Sequence, residues 1–201
     1  MKKIFCSVVL CSALFGVNAA QSAVLTFDDL PGDESAVTNG YGGFNWNGAT
    51  QIGSISNSFH PGSGYDLGTV SPNNTVFNYF GSTPTYIDWA GAGTFDFNGA
   101  YWTSAWDSVQ TLTFEGWNDG SLLYSSNAFA INNQSPLWIA LNWTGIDHLV
   151  INNSGSHWAM DNFTFNGNVN AVPVPAAVWL FASGLMGLMG FNRKRARSLA
   201  A

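Results

Sequence analysis

Thr111-Leu112-Thr113-Phe114-Glu115-Gly116-Trp117-Asn118-Asp119-Gly120-Ser121-Leu122-Leu123-Tyr124 is the stretch on which the fold turns. Residues 111–115 alternate polar and apolar, so an extended chain puts Leu112 and Phe114 on one face and Thr113 and Glu115 on the other. Asn118-Asp119-Gly120 is tight-turn chemistry, because Asp and Gly tolerate the positive φ that a two-residue hairpin demands. Ser121–Tyr124 then returns along the first strand. Trp117 has the parity of Thr113 and Glu115, which places it opposite the apolar face.

Working outward, the same pattern recurs. Leu137 to Trp143 reads as a strand with Leu137, Ile139 and Leu141 on one face. Ile146–Ile151 and Trp158–Phe165 follow, Phe95 and Phe97 mark a strand before them, and Val24–Leu30 reads as the first. No window of eleven residues sustains a helical period, and Gly, Asn, Ser and Thr punctuate the chain throughout. From Asn47 to Gly93 glycines and Pro61, Pro72 and Pro84 crowd together. That region is expected as long loops with a few short strands, either functional loops or an irregular structural meander. The body is therefore expected to be all-β, a single jelly-roll-like β-sandwich over residues 24–170.

The charge of the 201-residue chain is unevenly spread. The basic residues are Lys2, Lys3, Arg193, Lys194, Arg195 and Arg197, whereas the twelve acids run from Asp28 to Asp161. Val24 to Asn170 thus holds no Lys and no Arg and carries a formal charge of −12. Such a body has nothing with which to neutralise phosphates, which excludes nucleic acid as a partner. A Walker A loop lacks its lysine. Cys6 and Cys11 both lie before the body, so disulfides and cysteine-zinc sites are absent from it.

The two ends explain the basic residues. Lys2 and Lys3 precede an apolar run from Ile4 to Val17, then small residues to Ala23. This is the plan of a secretory signal peptide, residues 1–23, too short for a comfortable span and with cleavage expected between Ala19 and Ala23. At the other end, residues 171–201 read Val172-Pro173-Val174-Pro175, an apolar segment over 176–191, then Arg193, Lys194, Arg195 and Arg197. The prolines fix the start of a transmembrane helix, and the basic cluster stays cytoplasmic, leaving the body outside.

This tail resembles the PEP-CTERM sorting signal of Gram-negative bacteria, with Pro motif, span and basic end in order over about thirty residues. Val174 stands where that family often has Glu. The resemblance implies an exosortase as partner, together with the secretion machinery. The chain would be held for a time in the inner membrane, then cut near Pro175 and passed to the cell surface or an exopolysaccharide matrix. The body resembles secreted lectin-like sandwich domains through Leu25-Thr26-Phe27-Asp28-Asp29-Leu30-Pro31, Gly40-Tyr41-Gly42-Gly43-Phe44-Asn45-Trp46, Ala100-Tyr101-Trp102-Thr103-Ser104-Ala105-Trp106 and Met160-Asp161-Asn162-Phe163-Thr164-Phe165. That likeness implies a jelly roll similar to carbohydrate-binding modules and no specific activity. In such jelly rolls the terminal strands come together, commonly around a structural Ca²⁺. Here Asp28, Asp29, Asp161 and Asn162 offer the oxygens such an ion takes, the other reading being that they cap turns and ladder ends.

Eight tryptophans lie in the body. Most are expected in the core, since aromatic side chains dominate sandwich interiors. Trp117, by its parity, is the first choice for an exposed sugar platform, with Trp46 and Trp89 next because they flank the loop-rich region. Catalytic signals are poor. There is no HExxH and no Gly-x-Ser-x-Gly among the three histidines and the serines. His148 alternates with Ile146 and Val150 and is expected to pack rather than act as a base. The expected function is a non-catalytic surface or matrix protein with a polysaccharide-binding face. A secreted polysaccharide hydrolase and a purely structural matrix protein or adhesin are the alternatives.

Overall fold

A computed structural model of the chain describes residues 22–47 and 51–166. The Pro motif, the 176–191 span, the basic cluster and all but the end of the 1–23 leader lie outside the described residues. Among the described residues no helix is long and apolar enough to cross a membrane.

Among the described residues thirteen strands are found: β1 (Ala23–Leu25), β2 (Asp33–Ala36), β3 (Phe44–Asn45), β4 (Ile52–Ser56), β5 (Asn74–Asn78), β6 (Thr85–Trp89), β7 (Phe95–Ser104), β8 (Gln110–Asn118), β9 (Ser121–Ser125), β10 (Phe129–Ile131), β11 (Leu137–Ile146), β12 (His148–Asn153) and β13 (Trp158–Phe165). One helical turn, α1 (Gly64–Leu67), is capped by Ser63, whose Oγ accepts the Tyr65 N–H. The protein is all-β, with every pairing antiparallel, in two sheets laid out as a β-sandwich. The first sheet has the order β11-β7-β13-β5-β4-β2, with β1 also on β13. The second has the order β10-β8-β12-β6-β3, with β9 also on β8.

The expected hairpin is formed. Trp117 pairs with Leu122 and Asn118 with Ser121, and Asp119 and Gly120 take φ of 47° and 71° at the turn. Leu112 and Phe114 are wholly buried, as the alternation requires. The core between the sheets gathers these with Phe44, Trp46, Ile87, Phe97, Trp102, Leu149, Ile151, Trp158 and Phe163. Trp102 and Trp158 meet edge to face with centroids 5.1 Å apart, the geometry favoured by the ring quadrupole. Burying each such ring contributes about 2–3 kcal/mol.

Three expected boundaries change. The first strand ends at Leu25, because Phe27 turns its backbone to φ 61° and Asp28-Asp29 form a turn. The strand expected from Ile146 to Ile151 is instead split. Ile146 closes β11, and Asp147 steps across with its N–H on the Trp117 carbonyl before β12 begins at His148. The Asn47–Gly93 region is more built than its glycines suggest. It supplies β4, β5 and β6, which lie inside the two sheets rather than above them. Single apolar residues, Ile52, Val76 and Ile87, anchor these strands in the core. Gly53 sits in β4 because the Tyr79 ring lies where a side chain would be, 2.3 Å from an added Cβ.

Candidate functional site

Register decides what the outer face of the second sheet carries. Across three strands, Asp88 of β6, His148 of β12 and Trp117 of β8 are directly opposite one another. One step along, Tyr86, Val150 and Glu115 are opposite in the same order. The alternate residues, Ile87, Leu149, Ile151 and Phe114, all point into the core. The outward set therefore forms a groove of about 440 Å³ lined by Tyr86, Glu115, Trp117, His148, Val150 and Asn152, with Pro84 and Gly120 at its borders.

The groove's side chains hold one another. The Trp117 indole N–H donates to Glu115 Oε2 at 3.0 Å, which fixes the ring beside the carboxylate. His148 Nδ1 is hydrogen-bonded to Asp88 Oδ1, and its ring stacks on Tyr86 with centroids 5.3 Å apart. Asn47 Nδ2 donates to the other Asp88 oxygen at 3.2 Å. The His148 bond is the main cause that holds the Asp88 carboxyl below the usual carboxylate range, against the opposing effect of burial. His148 thus sits on the outer face with its Nδ1 engaged, whereas Ile146, with which it was expected to alternate, ends β11 in the core. Val150 forms an apolar floor, 6% exposed. Two aromatic rings over an apolar floor, with a carboxylate and an amide beside them, can pack the C–H face of a sugar and bind its hydroxyls.

Of the tryptophans put forward, Trp117 is half-buried and lines this groove. Trp46 is a correction, since it is fully buried, with its Nε1 on the Tyr41 carbonyl at 2.9 Å. Trp89 is half-buried and does not line this groove. It packs against the core with Phe44 and Phe95, 5.0 and 5.8 Å from its ring, and Gly43 lies close beneath it. Both sit by the β3–β6 edge of the second sheet. The exposed tryptophans are Trp106 and Trp138, at 46% and 39%. Trp138 belongs to the outward parity of β11, a signal present in the alternation of Leu137, Ile139 and Leu141. Tyr86, on the groove's other side, was not singled out because its region reads as long loops with a few short strands.

The carboxylates near the terminal strands are arranged differently from a metal site. The terminal strands do meet, with Leu25 opposite Phe163. Asp161, however, is fully buried and its two oxygens already accept four donors. These are the backbone N–H groups of Val70 and Ser71 at 2.7 and 2.8 Å, Ser71 Oγ at 2.9 Å and the Asn162 N–H at 2.6 Å. Burial pushes its carboxyl up while those donors pull it down, burial being the larger. Asp28 accepts the Asn74 N–H at 3.2 Å, and Asp29 accepts the Tyr41 hydroxyl at 2.7 Å beside a separate hollow of about 510 Å³. Asn162 Oδ1 is buried and meets no hydrogen-bond partner among the described residues. No three His, Cys, Asp or Glu side chains gather to hold a metal among the described residues. The oxygens of Asp161 are thus taken up by protein donors, while Asp28 and Asp29 each accept one. The groups that hold Asp28, Asp29 and Asp161 are those of turn caps and a loop anchor. No protein-family model matches the chain, and no curated protein matches it.

Proposed function

We propose that this chain is an exported exosortase substrate, a non-catalytic surface or matrix protein whose jelly-roll-like body holds polysaccharide in the groove of the second sheet. The observation that carries the binding reading is the pairing of Trp117 and Tyr86 with Glu115 and Asn152 around an apolar floor. The export reading rests on the leader, the Val172-Pro173-Val174-Pro175 motif and the Arg193–Arg197 cluster. A hydrolase would need two carboxyls free to exchange protons across one bond. Asp88 is committed to His148 and Asn47, and its depressed carboxyl is a poor proton donor.

The test uses the full chain in a non-glycosidic detergent. Neutral oligosaccharides should bind it, and Trp117→Ala should weaken that binding about tenfold or more, as loss of a central aromatic contact does. Release of reducing sugar would favour the hydrolase, and no binding to any glycan would favour a purely structural matrix protein. Removing residues 173–201 should send the body into the medium. Surface attachment that survives this deletion would defeat the sorting reading.

A further inference from the structure

The groove holds an unbalanced charge. Glu115 accepts only the Trp117 indole through one oxygen, and no other hydrogen bond reaches its carboxylate among the described residues. Behind His148, Asp88 is a second carboxylate, engaged by His148 and Asn47. The stretch from Val24 to Asn170 has no Lys or Arg to offset either of them. His148 is the groove's one potential cation, and the ring nitrogen that faces a carboxylate is spent on Asp88.

From this, and resting on the sugar-binding reading above, we infer that the groove selects glycans carrying a protonated amino group and turns away uronate-rich ones. The register gives the reason. Tyr86 and Glu115 lie opposite each other across Val150, about 10 Å apart at two strand spacings. Trp117 follows Glu115 on the same face, about 7 Å along. An ammonium seated over Val150 meets the free Glu115 oxygen in a charge-assisted hydrogen bond, with the Trp117 ring beside that carboxylate for cation–π attraction. A neutral sugar gains neither. A uronate is repelled by Glu115 and Asp88 and by the field of a body at −12.

The probes are three oligosaccharides of equal length: deacetylated chitosan, its N-acetylated form and oligogalacturonate. Calorimetric titration into the full chain should show the amino form binding about fivefold more tightly than the N-acetylated one, the scale of one solvent-accessible ion pair. Oligogalacturonate should not bind. In Glu115→Gln, which keeps an acceptor for the Trp117 indole, the ratio between the first two should fall to near one. Because that ratio is taken within one protein, a partly unfolded sample does not distort it, and the wild-type ratio tests the inference alone. Equal wild-type affinities, or galacturonate binding at the same strength, overturn the selectivity while leaving the sugar-binding reading standing. An amino preference that persists in Glu115→Gln is general attraction to an acidic surface and also overturns it. Failure of all three to bind overturns both readings.

Discussion

Asp161 shows how one side chain can look like a ligand and act as a tie. Its outward parity on β13 would leave a carboxylate on the sheet surface, yet the chain at Val70-Ser71 folds over it and brings three of its four donors. Those two backbone N–H groups have no strand to pair with, and the carboxylate satisfies them. The same Ser71 hydroxyl lies 3.2 Å from the Thr26 carbonyl, which places the first strand's end beside the same loop. Asp161→Asn keeps one acceptor and turns an N–H₂ toward the remaining donors. It should cost about 3 kcal/mol in urea unfolding, the scale of charged hydrogen bonds lost in a buried site. A loss below about 1 kcal/mol would mean the loop is held by something else. The sequence revealed an acidic residue near the terminal strands but not its partners, which lie ninety residues away in the chain.

Among the elements, the best-read were those whose two faces meet different surroundings. β8 buries Leu112 and Phe114 and leaves Thr113 and Glu115 partly exposed, so its pattern is clean. β4 and β5 are buried on both faces, and α1 and the Tyr79 loop cover their outer side, so no alternation survives to be read. Two strands also share one edge between two partners. β13 pairs with β5 at Ala159 and Met160 and with β1 at Leu25↔Phe163 and beyond, and the backbone turns to φ 53° at Asn162 between them. β8 pairs with β10 at residues 110–112 and with β9 at 115–118. The hairpin turn offers a clean test. An added Cβ at Gly120 meets nothing within 4 Å, so a substitution there is penalised by its φ of 71° alone. Gly120→Val should lower stability by about 1–2 kcal/mol without disturbing the core, read from the denaturant midpoint and an unchanged slope.

For the whole molecule, charge and burial pull apart. The body between the basic ends carries −12, and among the described residues its carboxylate–histidine contacts are His148 with Asp88 and His60 with Glu34. Self-repulsion of this size should be relieved by screening. The melting temperature should rise from low salt to about 0.15 M, where the Debye length is about 8 Å. A flat or falling temperature would mean the acids are locally compensated. The amino-acid sequence alone determined the all-β class, the 111–124 hairpin, the inward parity of the longer strands and the bare acidity of the body. Each of these is written in neighbouring residues, through period-two alternation, turn chemistry and charge count. Only the tertiary structure decided that Trp46 is covered, that Asp161 is a tie, and that Tyr86, His148, Glu115 and Trp117 share one groove. Those outcomes depend on which strand lies beside which, and that pairing is set by long-range packing of the two sheets, not by any local stretch of chain.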